Sequence, residues 1–534
     1  MNNNYIAVFV NYKQGGLCMN LKVTKEKISS TEIVFSDTNE QSIELDYILP
    51  DYFPEIFRIL KCITTPQIVS YNIENSKLTY EIAVCIRVIY CAENSNAIHT
   101  INQKLTYSRK IDIGRACCEP EISLTPQINF INCRAVNPRR VDIRGAVSII
   151  ISVADTCTKE VISDVDGGNI QLKKSSFTYP ANHLKTTKQI VISDKYDIGM
   201  SKPAIIDIIR NDAIISSIDK KIIADKLILK GEICINMLYT CLKDNTDNIE
   251  SLQFTLPFSQ IIELEGIDDR FDCSVNANII SCEIIPCSDG DGNSKLAECI
   301  INIHISCSAH KTSTTEFVVD EYSTHYETNS ERHDFTLESS PFCIDNTCVL
   351  KNIINSSDNE LECIYDAWCT LKNISVIPDE TEKSLQINGT IIYMILAKAK
   401  DGTPVLLDKE DGFTLSVSAE NLSELSKANI NIIPVSCSYT LSSDNTVELK
   451  AELRITGYVK NYVMINSITE ITVNEDELIN PNCNYALKIY YTDENEDLWE
   501  IAKKYGTSVS AIIEENEIED NMLLEKGMLL IPIV

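Results

Sequence analysis

Two long apolar segments, LTYEIAVCIRVIYC from Leu78 and LILKGEICINMLYTC from Leu227, stand in one spacing to three further landmarks. At an offset of about 149 residues, Pro54 in FPEIFRIL falls on Pro203 in KPAIIDII, Tyr90 on Tyr239, and Cys133 in INCRA on Cys282 in ISCEI. A third copy follows with looser spacing. LQINGTIIYMILAKAKDG from Leu385 matches at Gly389, and VSCSY supplies Cys437, while the opening segment has no recognisable equivalent of Pro54. Register kept over several landmarks means tandem units of one design, and 534 residues exceed what one hydrophobic core supports.

Each copy runs in the same order: a short helix signal, a long strand, a turn, a strand reading FTLPFSQ or FTLSVSA, the cysteine strand, then another strand. In copy one Pro54 suits a first helical position, Glu55 the first turn, and Ile56, Ile59 and Leu60 one apolar face, with Tyr52 placed to staple onto Phe57. The later strands alternate, as in VELKAELRIT, where Val447, Leu449, Ala451, Leu453 and Ile455 share a face. SDVDGGN at Ser163–Asn169 and SDGDGN at Ser288–Asn293 read as turns. The expected fold is mainly β: three tandem sandwich-like or barrel-like repeats, each with a short helix. The boundaries are an N-terminal arm over 1–42, repeats over 43–165, 185–320 and 333–478, and a terminal domain over 484–534.

A formal net charge of −30 disfavours binding to phosphate backbones or anionic membranes, because that affinity rests on Lys and Arg. MNNNYIAVFVNYKQGG lacks the basic segment and small-residue cleavage site of a signal peptide, and no run of about 18 apolar residues suggests a membrane span. Twenty-one cysteines, many within apolar runs such as Val84-Cys85-Ile86 and Ile233-Cys234-Ile235, read as buried thiols of a reducing compartment. The expectation is a cytoplasmic protein.

No G-x-S-x-G, Walker A, G-x-G-x-x-G or H-E-x-x-H motif occurs. His304 and His310 flank one strand and read as structural or surface residues. DGDGNSKLAECI from Asp289 places Asp289, Asp291 and Asn293 like calcium ligands, but Ser294 replaces the needed glycine and Ile300 the bidentate Glu. Cys117 with Cys118, and Cys343 with Cys348, lack C-x-x-C spacing. The chain is therefore expected to be no enzyme, with no cofactor and no metal, and to work by multivalent binding.

After Pro481 the pattern changes. Leu487, Ile489 and Tyr491 alternate as a strand; Asp497 to Tyr505 carries Leu498, Ile501 and Ala502 at helical spacing, and Gly506 stops that helix. Ser508 can cap a second helix bearing Val509, Ile512 and Ile513, and Met528–Ile531 closes the unit as a strand. This βααβ tail resembles a LysM domain in its Leu498-to-Ser508 run, in Asn516, and in Lys526-Gly527 before Leu530-Ile531-Pro532. The resemblance implies N-acetylglucosamine binding between the loops Asn495–Leu498 and Asn516–Asn521. Asn495-Glu496-Asp497 replaces the usual opening of the first loop, Gly527-Met528 the usual Gly-Gln, and Glu517, Glu519 and Asp520 make the second loop acidic. Trp499 reads either as a ligand contact or as part of the module's packing.

The repeats, above all LPDYFPEIFRILKC at Leu49–Cys62, look like the SPOCS domain of SipL-type spore proteins, whose architecture ends in one LysM. That resemblance implies a non-enzymatic adaptor in the mother-cell cytoplasm, at the forespore surface and spore coat of Firmicutes. It would tether coat layers by binding the coat-scaffold ATPase, stage IV sporulation protein A, through the LysM, alongside other spore coat proteins. The contact residues so implied are Asp497, Leu498, Trp499, Glu517, Ile518, Glu519 and Asp520. The alternative is an envelope protein that binds peptidoglycan N-acetylglucosamine. The resemblance also makes Met19 the expected start, with residues 1–18 an over-long gene boundary.

Overall fold

Alternating β-branched and polar residues drive nearly the whole chain into antiparallel strands. The structure, a computed structural model, describes residues 6–10, 21–92, 97–118, 120–243, 246–288, 293–356, 360–443, 445–478, 486–518 and 526–532. Met19 and the turn acids Asp289 and Asp291 lie outside the described residues. No helix among the described residues is long and apolar enough to cross a membrane.

In copy one, β1 (Ile6–Val10), β2 (Leu21–Ile48), β3 (Ile56–Glu74), β4 (Lys77–Ala92), β5 (Ile98–Asp112), β6 (Glu121–Asn137) and β7 (Arg140–Asp166) make two sheets, ordered β1-β2-β7-β6 and β3-β4-β5. Leu78, Tyr80, Ile82, Val84, Ile86 and Val88 point from β4 onto Val147, Ile149, Ile151 and Val153 of β7, giving a sandwich core. Copy two repeats the plan with β8 (Ile170–Asp197), β9 (Asp207–Ile223), β10 (Lys226–Lys243), β11 (Thr246–Glu263), β12 (Asp272–Cys287) and β13 (Leu296–Ser323), in sheets β12-β13-β8 and β11-β10-β9. Copy three uses β14 (Tyr326–Glu338), β15 (Phe342–Asn355), β16 (Leu361–Asp379), β17 (Ser384–Ala399), β18 (Pro404–Ser418), β19 (Lys427–Ser443), β20 (Thr446–Lys460) and β21 (Tyr462–Leu478), in sheets β15-β20-β19 and β16-β17-β18 with a separate β14-β21 ribbon. The terminal module is β22 (Leu487–Thr492), α1 (Leu498–Tyr505), α2 (Val509–Asn516) and β23 (Gly527–Pro532).

The repeat landmarks touch one another in space. Tyr90 donates its hydroxyl to the Pro54 carbonyl at 3.1 Å, and Tyr239 does the same to Pro203 at 3.3 Å. In copy three Ala397 occupies the tyrosine position, so the tyrosine is lost together with the proline. Gly231 lies opposite Phe258, and a Cβ there would stand 2.6 Å from the ring; Gly389 relates to Phe413 in the same way, at 2.7 Å. The structural counterpart of Phe413 is thus Phe258, not the Phe254 that opens FTLPFSQ.

The short helix expected in each repeat is a strand. Ile56–Glu74 pairs with β4 through bulges at Phe57 and Leu60, each of which adds a residue and turns the two-residue period of a strand into an apparent period of three. Ile59 therefore packs into the sandwich core while Leu60 faces the neighbouring copies. Tyr52 does not staple onto Phe57: the two are 81% and 73% exposed, and Tyr52 packs on Phe53 instead, with ring centroids 4.8 Å apart. Residues 21–42, expected as an arm, belong to β2, which pairs with β7 from Lys22 to Ile48.

β2, β7, β8 and β13 are too long for one sandwich. Past bulges at Ile33/Phe35 and Ala309/Lys311 they leave as two-stranded ribbons, and in copy three the same exit is an outright break, between β14 and β15 and between β20 and β21. The three ribbons bury Val23, Ile162, Val318, Ile468 and Ile471 against one another, with Ile28, Phe177, Phe317, Leu337 and Ile465 in a second layer. Ser30 donates to the Thr336 carbonyl at 3.1 Å across this hub.

At the other end the three sandwiches meet through Ile89, Ile98, Ile209, Leu238, Trp368 and Leu396, flanked by the bulged residues Leu60 and Tyr365. Arg210 bonds Asp366, the residue at its own position in copy three, at 2.7 Å and lies 4.3 Å over the Trp368 ring. Burial lowers that guanidinium to about 10 against the opposing pull of Asp366. Arg87 reaches from copy one to Asn211 of copy two at 2.6 Å, and Lys61 pairs with Asp408 to close the ring. Between the two ends lies a central cavity of about 2850 Å³ lined by all three copies.

Candidate functional site: the terminal module and its dock

Local sequence sets both helices of the module. Asp497 accepts the Trp499 N–H at 2.9 Å as an N-cap, Glu500 stands in the first turn, and Gly506 ends α1 in the left-handed region at φ 62°. Ser508 accepts the Ala511 N–H at 3.1 Å to begin α2. Asn516 then clasps this helix to β23, donating to the Leu530 carbonyl at 2.6 Å and accepting the Leu530 N–H at 2.7 Å. Glu496 is committed to the fold of the first loop, taking the Tyr490 hydroxyl at 2.9 Å and the Asp493 N–H at 3.0 Å.

The two-stranded sheet has two faces. Tyr490, Leu529 and Ile531 point at the helices, where Ile501, Ala502 and Ile512 complete the core. Leu487, Ile489, Tyr491 and Met528 lie on the other face and are exposed, Tyr491 to 74%. Large apolar side chains grouped this way on a small module mark an interaction surface more than isolated exposed ones do.

The first loop and α1 rest on the ribbon of copy two. Asp320 of β13, its side chain 13% exposed, accepts the Trp499 indole N–H at 2.7 Å and the Lys503 ammonium at 2.8 Å, and also pairs with Arg332. Burial would raise this carboxyl, but the hydrogen bonds from Lys503 and Trp499 outweigh it and hold Asp320 below the usual carboxylate range. Tyr322 meets the Trp499 ring edge-on at 4.9 Å and donates its hydroxyl to the Thr507 carbonyl at 2.7 Å. Lys173 of β8 bonds Asp497 at 2.7 Å, which lowers that carboxyl.

The seven residues expected to form one contact surface are thus divided. Asp497 and Trp499 face the ribbon, and Leu498 and Ile518 pack at the edge of the module's core. Glu517 is exposed at the end of α2, and Glu519 and Asp520 lie outside the described residues. Sequence reasoning missed Lys173, Asp320, Tyr322 and Arg332, which are far from the module along the chain. One signal was present: near the end of the copy-two strand Tyr322 stands at the position where copy one has Asp166. Among the described residues no group of three or more His, Cys, Asp or Glu is placed to hold a metal ion.

The SipL SPOCS-domain family matches residues 55–136 and again 204–285, and the LysM family matches 493–532. The two SPOCS matches are displaced by the repeat offset and correspond to β3–β6 and β9–β12. Copy three, outside both matches, folds with the same order of strands. No curated protein and no solved structure matches the chain. SPOCS and LysM are non-catalytic domain families, the first tied to sporulation and the second to glycan binding. The chain thus carries two SPOCS domains of the SipL family in tandem and a LysM domain behind them.

Proposed function

We propose that the chain is a non-enzymatic adaptor of spore coat assembly, tethering coat layers to the forespore surface in the mother-cell cytoplasm. Its partner is the coat-scaffold ATPase, stage IV sporulation protein A, and its binding head is the LysM domain. The observation that carries this reading is the division of the module. Its glycan-side residues Asp497 and Trp499 hold the ribbon of copy two, while an apolar sheet face of Leu487, Ile489, Tyr491 and Met528 is exposed. An apolar patch rimmed by charge suits a protein more than a sugar polymer, which stacks on aromatic and small residues in a groove.

Capture of purified stage IV sporulation protein A tests the proposal. The full chain is expected to retain it, and both a chain ending at residue 478 and an Ile489→Asp/Tyr491→Asp variant are expected to lose it. Unchanged capture by the truncated chain overturns the LysM as head. The second reading, peptidoglycan binding, is favoured by the LysM match itself. It predicts retention of the full chain on purified peptidoglycan, with release by N-acetylglucosamine oligomers.

A further inference from the structure

The two sheets of each sandwich come together along one seam, β3 on β6, β9 on β12 and β16 on β19. The landmark cysteines Cys133, Cys282 and Cys437 lie on one side of it. Opposite them the copies differ. Two residues beyond the bulge at Leu60 stands Cys62, and two residues beyond the equivalent bulge at Ile209 stands Asn211. In copy three Cys369 lies four residues beyond its own bulge at Tyr365, two further along its strand than Cys62 and Asn211 along theirs.

Cys62 and Cys133 both pack into the core of copy one along this seam, and Cys369 and Cys437 into that of copy three. In copy two the Asn211 amide takes the thiol's place, donating to the Cys282 carbonyl at 3.1 Å and approaching its sulfur at 3.9 Å. The Cys133 and Thr64 side chains, with Lys61 nearby, hold Cys62 below the usual thiol range, and Cys62 together with burial raises Cys133. Cys62, Cys133 and Cys437 are partly exposed and Cys369 is buried.

We propose that Cys62–Cys133 and Cys369–Cys437 are paired oxidation sites, at which a hydroperoxide converts two facing thiols into a disulfide joining the two sheets of a repeat. In copy one the Cys62 thiolate attacks a peroxide oxygen and becomes a sulfenic acid as the O–O bond breaks. The Cys133 sulfur then attacks the oxidised sulfur, and the sulfenic oxygen leaves as water. Two thiols and one hydrogen peroxide give one disulfide and two waters. Asn211 keeps copy two out of this chemistry.

Peptide mapping of the full-length protein under non-reducing conditions, before and after hydrogen peroxide, tests the proposal. The Cys62–Cys133 and Cys369–Cys437 links are expected to dominate, with Cys282 still alkylated by iodoacetamide. Asn211→Cys is expected to add a third link to Cys282 under the same conditions. The proposal is overturned if the four thiols stay fully alkylated after oxidation. It is equally overturned if links scatter among the other cysteines as often as they form across the seam, or if Asn211→Cys adds no link.

Discussion

Each of the three ribbons carries a bulge at the same place, Ser163 in copy one, Val319 in copy two and Thr469 in copy three, and an acid follows each: Asp164, Asp320 and Glu470. The copies part around that acid. Two residues on stand Asp166, Tyr322 and Thr472, and opposite the acid stand Thr24, Lys173 and Glu331. Asp164 is exposed and pairs with Lys174 of β8 at 2.9 Å. Asp320 holds the terminal module. Backbone geometry and a carboxylate are thus common to all three sites, and docking comes from what copy two adds: a ring for Trp499, a hydroxyl for the Thr507 carbonyl, and a cation for Asp497.

Asp320→Ala breaks the comparison most severely, because it strands the Trp499 indole and the Lys503 ammonium at a largely buried interface. The cost to docking is about 3 kcal/mol, roughly a hundredfold in the docked-to-free ratio. Hydrogen exchange read by mass spectrometry should show α1 and the Lys173 end of β8 exchanging faster, with the sandwich cores unchanged. Unaltered exchange in α1 would refute the dock.

Tyr322→Asp installs the copy-one residue. It removes the edge-on ring contact and one buried hydrogen bond, together about 2 kcal/mol. If the acid alone sufficed for docking, the same exchange measurement would show no difference from the parent.

The sandwiches and the terminal module were legible in the sequence to different depths. Pro54 and Tyr90 kept register with Pro203 and Tyr239 because each pair shares a hydrogen bond, so the repeat was visible as chemistry before it was visible as shape. Asp497, Gly506, Ser508 and Asn516 announced the module's helices because capping is local. The strand at Ile56 was hidden because two bulges imitate helical spacing, and no propensity argument counts an unpaired residue. The hub was hidden for another reason: the outer halves of β2 and β8 are polar and half-exposed, and only the meeting of three ribbons gives them a core. Asp320 was hidden because its partners lie far along the chain, where no spacing rule reaches.

Acid should separate the dock from the rest of the ribbon. Asp320 is held low when docked, so its contribution is fully present above the free carboxyl value and is lost as pH falls through the docked value. Asp497 has the same sign. Docking should be flat from neutral pH down to about 5 and should weaken below about 4. The same titration of Asp320→Asn, which has no carboxyl to protonate at that position, should be shallower in this range. Equal slopes in the two proteins would place the acid sensitivity elsewhere.

Lys173→Ala is expected to have the smallest effect. Its ammonium is within 2.7 Å of Asp497 and 6.0 Å from the centre of the Trp499 ring, but both partners of the ion pair are close to half exposed. Water and salt screen such a pair, and its loss should weaken docking by about 0.5 kcal/mol. Raising the salt concentration should reduce the difference between Lys173→Ala and the parent while leaving that between Tyr322→Asp and the parent in place. The dock would then be held by a buried carboxylate and a ring, with the exposed cation setting approach and orientation. A Lys173→Ala defect as large as that of Asp320→Ala would reverse that order.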